Sequence, residues 1–417
     1  MASSTSERTV SDKPTAIVIG AGPAGLSVSL GLAHRGWKVI LVEKYESFEV
    51  RGASFGMGRN GIKALEEIHP GTVQHEMIDS GKGIPLPSGT LVIPWWMMRD
   101  ALLERVRKMV AANVVDLKMG LSIEDILDEG DSRNGVTARF TNGETIEGDV
   151  LIGADGVHSS VRKILGLSPT KYTGTKIFRG TVLVNLDGND ESVEGTENLS
   201  SESSRLQHLV HKGITPLYAT YPGMVFFVIS FHSQTPGRMC WVCATTDKNF
   251  DTETTDVRTF VKDNEKDEEK LASILAIFDE SSEDSLQSYT EIRVADFSDD
   301  ALSHLDGRWG GKNNVTLIGD AAHAMRATDG QGGNMAFEDA IVLCRLLGSE
   351  ELCSSILDES SSGASAIEDI LGKFERTRMP RVKKVHDSQR LRAEARLRGE
   401  RMVGLDPEFK EWIENGV

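Results

Sequence analysis

Two glycine-rich segments about 300 residues apart carry the chemistry legible in this chain. The first reads Ala16-Ile-Val-Ile-Gly20-Ala-Gly22-Pro23-Ala24-Gly25. The second reads Val315-Thr-Leu-Ile-Gly319-Asp320-Ala-Ala-His323, followed by Gly330-Gln-Gly332-Gly333-Asn334. In Gly20-x-Gly22-x-x-Gly25 the first glycine permits a tight turn, the second lets backbone approach a pyrophosphate, and the third lets a helix pack on its strand. Pro23 and Ala24 open that helix, whose free N–H groups and positive dipole end would face the phosphates. Glu43 lies 18 residues beyond Gly25 at a strand end, with Lys44 beside it. An acid there accepts hydrogen bonds from a ribose with a free 2′-hydroxyl, as in FAD or NAD. The spacing predicts a bound dinucleotide, and the second segment makes that dinucleotide FAD, held at both ends by one composite domain.

Asp320 ends the apolar run Val315–Ile318, and open α/β sheets bind ligands at such strand ends. Gly330, Gly332, Gly333 and Asn334 precede an apolar helix. Glycines there bare N–H groups that suit a developing anion, such as the charge around N1 and the C2 oxygen of a reduced flavin. His323 has two readings, a general base or a side chain hydrogen-bonded within the turn. A third segment, Asp149-Val-Leu-Ile-Gly-Ala-Asp155-Gly156-Val-His-Ser-Ser-Val-Arg162, reads as a buried strand, a turn and a capped helix start. Cys240-Trp-Val-Cys243 has redox or metal spacing, but it lies in a strand pattern that puts positions i and i+3 on opposite faces. No second pair completes a zinc site, and no metal is expected.

These residues need a scaffold. Thr15–Ile19, a helix to Gly36 and Lys38–Glu43 form a βαβ opening, which makes the fold class α/β: a Rossmann-like, doubly wound domain. Arg99–Ala111 has helical spacing, and Asn142-Gly143 joins Val136–Phe140 to Glu144–Val150 as a hairpin. From 175 to 246 the runs are strand-like: Phe178–Val184, Arg205–Val210, Val225–Phe231 and Cys240–Ala244. The expected organisation is a disordered start at 1–14, an FAD-binding domain from 15–174 and 297–347, an inserted antiparallel β-sheet domain at 175–296, and a helical region at 348–417. The C-terminal third is expected to be helical, with Asn334–Leu347, Ala366–Arg378 and Arg381–Met402. Acidic, Ser-rich stretches at 187–204, part of 247–270 and 354–365 read as loops.

The chain has 417 residues, and its formal net charge of −17 argues against nucleic acid as a partner, because that requires a basic face. Four cysteines in a chain of this length fit a reducing compartment. The N-terminus lacks the apolar core of a secretory signal, and no apolar run spans a membrane, so a cytoplasmic location is expected, an organelle being the lesser alternative. Arg376–Arg401 holds ten basic residues. They read as a solvated helix face or as a peripheral contact with an anionic membrane.

Together the three segments resemble the single-component FAD-dependent monooxygenases, of the p-hydroxybenzoate and salicylate hydroxylase and zeaxanthin epoxidase type, over about residues 15–400. The resemblance implies FAD as cofactor, NADPH or NADH as reductant, and hydroxylation or epoxidation by O2 through a flavin C4a-hydroperoxide. It implies that Arg51, Arg99, Asp155, Gly156, Arg162, Gly319 and Asp320 belong to the cofactor set. It likens Phe374-Glu-Arg-Thr-Arg-Met-Pro380-Arg381 to the family's C-terminal helix junction. It implies a lipophilic or phenolic small-molecule substrate between the β-sheet domain and the flavin, with Arg179 facing it; Tyr218 and Tyr221 have two readings, core packing first and a hydrogen bond to substrate second. Arg179 has the alternative of pairing with an acid at the domain seam. The chain departs from the pattern at Arg326-Ala327-Thr328-Asp329, where the family usually carries proline beside the flavin. The competing readings are an FAD-dependent double-bond reductase and a non-catalytic flavin-binding partner.

Overall fold

The run TAIVI forms β1 (Thr15–Ile19), with Ala16, Ile17 and Val18 wholly buried. A strand covered on both faces reads as a continuous apolar run rather than an alternating one. The structure is a computed structural model and describes residues 13–48, 54–127, 135–184, 206, 219–221, 224–231, 237–246, 256–298, 308–309, 311, 313–327, 330–349, 363–397 and 406–416. After β1 come α1 (Pro23–His34) and β2 (Lys38–Glu43), and Gly36 with φ +89° makes the turn between them. Then follow β3 (Ser54–Met57), α2 (Arg59–Ile68), β4 (Ile84–Pro85), β5 (Leu91–Pro94) and α3 (Trp95–Ala111). Next are β6 (Val115–Met119), β7 (Ile123–Leu127), β8 (Val136–Phe140), β9 (Thr145–Gly148), β10 (Val150–Gly153) and α4 (Ser160–Ile164). Gly143, at φ +86°, closes the β8–β9 hairpin that its Asn-Gly pair predicts.

A second sheet begins with β11 (Lys171–Val184), followed by β12 (Ala219–Tyr221), β13 (Met224–Phe231) and β14 (Gly237–Thr245). Three helices come next, α5 (Val257–Asn264), α6 (Glu268–Asp279) and α7 (Glu283–Gln287), before β15 (Tyr289–Val294). The sheet is antiparallel in the order β12-β13-β14-β11-β15. The acidic stretch after 247 is therefore partly helical. Asp256 caps α5, and Val257, Phe260 and Val261 give it one buried apolar face, which charge alone does not reveal. Phe178, Val182, Phe226, Val228, Met239, Trp241 and Cys243 pack with these helices in one core. Of the expected run Arg205–Val210, all but Leu206 lies outside the described residues.

The chain then returns to the first sheet with β16 (Val315–Leu317), α8 (Asp320–His323) and α9 (Gln331–Leu347). The first sheet is parallel throughout, in the order β16-β10-β1-β2-β6. The C-terminal region holds α10 (Gly363–Leu397) and α11 (Pro407–Glu414). The two helices expected across Arg378–Arg381 are one, running through Pro380. A proline inside a helix removes one backbone bond. Here Arg378 and Arg381 on either side are both anchored to α9, which holds the helix together across it. Among the described residues no helix is long and apolar enough to cross a membrane.

Candidate cofactor and substrate site

Three segments meet at the C-terminal ends of β1, β10 and β16. A Cβ on Gly20 would lie 2.6 Å from the Ala154 oxygen, and one on Gly25 would lie 1.8 Å from the Gly20 oxygen. A Cβ on Gly319 would approach the Cβ atoms of Ala24 and Ala336 to 3.2 Å. Glycine is thus what lets α1, the β10 turn and α9 close on one another. Gly20, Gly156 and Gly319 all have positive φ (+103°, +78° and +58°). Gly22 is different: a Cβ there meets nothing within 4 Å, so it faces open space at the uncapped start of α1. That is the cradle a pyrophosphate needs.

The acidic groups around this cradle are set by the backbone. Glu43 accepts Ala21 N at 2.9 Å and Tyr45 N at 3.1 Å, which pins its carboxylate at the end of β2. Lys44 is exposed and stacks over Tyr45. Asp155 uses Oδ2 to accept Ser160 N at 2.6 Å and Val161 N at 3.2 Å, while its Oδ1 is buried and has no partner among the described residues. Burial pushes the Asp155 carboxyl up against those donors. Asp320 is exposed in surface terms, yet burial pushes its carboxyl up too. Its Oδ1 lies 3.7 Å from where a Gly332 Cβ would be, so it sits in a narrow cleft that water touches but protein surrounds. Among the described residues neither Asp155 Oδ1 nor the Asp320 carboxylate accepts a hydrogen bond, and the hydroxyls of a ribose or ribityl chain would supply donors. Arg162 has another use. It donates to the carbonyls of Ser168, Ala321 and Ala322 at 2.8, 3.2 and 3.0 Å and so ties α4 to α8.

Gly330, left-handed with φ +65°, begins α9 without a side-chain cap, leaving the helix N–H groups available. Gly333 lies under the Phe55 ring, 2.6 Å from where its Cβ would be. Phe55 in turn meets Trp95 and Phe337 edge-on at 5.9 and 6.2 Å. Asn334 spends its amide within the protein: it accepts Gly58 N at 3.0 Å and donates to Gly56 O at 3.1 Å and Gly330 O at 2.7 Å. Arg99 bonds Asp100 at 3.0 Å and lies over Phe48. Arg51 and the side chains of Tyr218 and Tyr221 lie outside the described residues.

The face of the second sheet turned away from its helices packs on the β4–β5 layer and on Trp96. Register places Arg179 opposite Val242, Thr181 opposite Cys240 and Leu183 opposite Arg238, all on the face away from α5–α7. Cys240 packs with Val92, Ile84 and Leu86 of the β4–β5 layer. Cys243 lies in the opposite core, so the Cys-x-x-Cys pair is split across the sheet, as strand geometry requires. Arg179 donates to Thr290 Oγ1 at 2.8 Å, and Arg238 lies 4.9 Å over the Trp96 ring. Arg238 was not singled out by sequence reasoning. Its signal was the two-residue offset from Cys240 in β14.

A family model described as an FAD binding domain matches residues 13–82 and 87–385. The chain belongs to this family. The curated relatives it resembles are FAD-dependent monooxygenases. It is 27% identical over 432 residues to 3-hydroxybenzoate 6-hydroxylase 1 of Aquipseudomonas alcaligenes, covering 95% of each chain. It is 27% identical to Monooxygenase 1 of Arabidopsis thaliana, over 79% of this chain and 78% of that one. It is also 27% identical to the dual trans-enoyl reductase/FAD-dependent monooxygenase tazHJ of Aspergillus terreus, of whose length it spans about half (47%). In fold it matches CtdE in complex with FAD at a TM-score of 0.70 and 17% identity, over 97% of this chain and 100% of that one. Klebsiella pneumoniae HpxO, complexed with FAD and uric acid, matches at 0.64 and 20%, over 97% and 93%.

In this FAD-dependent monooxygenase the segment around Asp320 is held from behind by buried charges that sequence reasoning missed. Asp339 accepts Gly319 N at 2.9 Å, His323 Nε2 at 2.5 Å and Arg378 Nε at 2.7 Å, and all three side chains are buried. Glu338 takes Arg378 at 2.7 Å and Arg381 at 2.6 and 2.7 Å, and accepts Asn60 at 2.8 Å. The signal was Glu338-Asp339 inside an otherwise apolar helix. His323 is therefore a structural side chain bonded behind the turn, not a group facing substrate. Several of the basic residues of α10 are also spent internally: Lys383 pairs with Asp387, Arg390 with Glu394, and Lys384 covers Trp412. Arg398 and Arg401 lie outside the described residues.

His386 donates Nε2–H to His323 O at 3.2 Å and stacks on Phe297 at 4.5 Å. Burial, helped by the field of His323 and of Arg326 and opposed by the His323 carbonyl and Asp387, lowers its pKa from 6.5 to about 4. The unfolded chain then takes up a proton that the folded chain refuses. Stability is full above about pH 6.5, falls as pH drops to about 4, and is flat below, a loss of about 2–4 kcal/mol at this one group. Urea titrations across that window should show the fall, and His386→Gln should remove about that much of it.

Proposed function

We propose that this monooxygenase hydroxylates or epoxidises a small aromatic, polycyclic or isoprenoid substrate carrying a phenolate or carboxylate, with NADPH or NADH as reductant and O2 as oxidant. The observation that supports it most is the face of the second sheet that carries Arg179, Thr181, Arg238 and Cys240, with Arg238 over the Trp96 ring and Cys240 packed on the β4–β5 layer. A sheet face with two arginines, one of them over an aromatic ring, suits a flat, apolar molecule with one acidic group. FAD, when bound, supplies the hydride acceptance and the oxygen transfer. The fit rests on the open cradle at Gly22, the unpartnered Asp155 Oδ1 and the cleft carboxyl of Asp320.

The chain's own residues bind, orient and exclude water. The starts of α1 and α9 would offer their free N–H groups to the anionic parts of the cofactor. Phe55, packed on Trp95 and over Gly333, adds apolar surface beside the start of α9. In this reading Arg179 would hold the substrate's acidic group, so that its loss would act on binding more than on turnover. A hydrogen bond to a charged group contributes about 1.5–3 kcal/mol, so Arg179→Met should raise KM roughly 10- to 150-fold with kcat changed far less.

The test is substrate-dependent NAD(P)H consumption across a panel of phenols, aromatic acids and isoprenoids, with 18O2 incorporation into product. Incorporation of one labelled atom is the expected result. Reduction of a double bond in the substrate with no label would replace this reading with that of a reductase.

A further inference from the structure

A cavity of about 180 Å³ lies behind the segment that follows Asp320, bounded by Lys171, Phe297, Arg326, His386, Gln389 and Arg390. His386 and Gln389 share one face of α10 and hold that segment like two pegs, one on the His323 carbonyl and one on Arg326 N at 3.0 Å. The Arg326 amide can only donate, so it must face Gln389 Oε1. The orientation of the Gln389 amide is therefore fixed, and Nε2 is left with two unused donors. Gln389 is 1% exposed, and its Nε2 is buried with no partner among the described residues. A buried donor without an acceptor costs stability and is rare.

The charges point the same way. Asp296 is committed to Lys171 at 2.6 Å and to Ser298 N at 3.0 Å. Asp387 is committed to Lys383 at 3.0 Å and to Arg390 at 3.6 Å. Among the described residues the guanidinium of Arg326 makes no hydrogen bond or ion pair, although it is half-buried; burial lowers its pKa, and the charge of Glu394 opposes that. A desolvated guanidinium and a buried amide donor beside one small cavity are the donor set that an oxyanion requires.

We propose that this cavity binds the oxyanion of a small molecule, a phosphate or a carboxylate, between the Arg326 guanidinium and the Gln389 amide. The volume is too small for a dinucleotide or a drug-sized ligand, which take about 300 Å³ or more, so the nicotinamide cofactor is not its occupant. The ligand would touch the segment from Ala324 to Ala327, and Arg326 therefore gives this chain's departure from proline a use. The site is separate from the substrate cleft, so the proposal stands whatever the substrate is.

Equilibrium dialysis of the FAD-loaded full-length protein against labelled inorganic phosphate, and separately labelled acetate, tests it. One equivalent of either anion should bind, and which one binds identifies the source of the oxyanion. Arg326→Gln and Gln389→Glu should each weaken binding about tenfold or more, the second because it keeps the acceptor for Arg326 N while replacing the free donor by a negative charge. Retained flavin absorbance in the variants shows that they are folded, and Arg326→Lys should recover part of the affinity. Neither anion binding at about 20 mM, or both variants binding like the parent, would overturn the proposal.

Discussion

Arg378→Met should destabilise the protein by about 3–5 kcal/mol, far more than any exposed ion-pair substitution. Arg378 is 2% exposed and bonds Asp339 and Glu338 at 2.7 Å each, with both carboxylates fully buried. Asp339 and Glu338 hold the guanidinium firmly charged against its own burial. Removing it leaves Asp339 with His323 and a backbone amide, and Glu338 with Arg381 and Asn60. A buried carboxylate that loses a cation keeps its desolvation cost and forfeits the attraction that offset it. The comparison is Arg345→Met, which breaks the exposed pair with Glu67 and should cost no more than about 1 kcal/mol. Urea unfolding followed by flavin fluorescence reads both. If the two variants unfold at the same denaturant concentration, the buried cluster is not what holds the Gly319-Asp320 turn, and the account given for His323 fails with it.

That cluster also marks where sequence reasoning stopped. Gly20, Gly22, Gly25 and Glu43 were readable because their roles are local: a turn, a cradle, a close contact and a strand end follow one another within a single βαβ unit. The parallel and antiparallel sheets were readable as apolar runs, and the split of Cys240 from Cys243 followed from the two-residue period of a strand. Partners brought together by the tertiary fold were not. Nothing local tells that Asn334 will serve Gly56 and Gly58, that Arg162 will serve the carbonyls of α8, or that Arg378 and Arg381 will cross to α9 rather than face solvent. Pro380 shows the same limit from the other side. Read locally it ends a helix, yet two long-range anchors carry the helix past it. The α5 helix was hidden by its charge, because three apolar positions among acidic neighbours suffice once a capping aspartate is present.

Gly22→Ala should leave the apoprotein intact and abolish its grip on FAD. The backbone at Gly22 is extended, with φ −72° and ψ 177°, which alanine adopts freely. An added Cβ meets no protein atom within 4 Å, so folding should change by less than about 0.5 kcal/mol. The same methyl occupies the space at the start of α1 through which the pyrophosphate must approach the N–H groups. Displacing the phosphates there forfeits several charge-assisted bonds, and FAD affinity should fall at least about 100-fold, or about 2.7 kcal/mol. Gly25→Ala supplies the contrast. Its Cβ would lie 1.8 Å from the Gly20 oxygen, so α1 must shift and stability and cofactor affinity should fall together. Thermal denaturation of the apoproteins, paired with FAD titration by fluorescence quenching, separates a ligand-space glycine from a packing glycine. A Gly22→Ala protein that binds FAD like the parent would mean that the pyrophosphate does not cross this turn, and the cradle would have to be sought at Gly156, the other cleft glycine whose Cβ meets nothing.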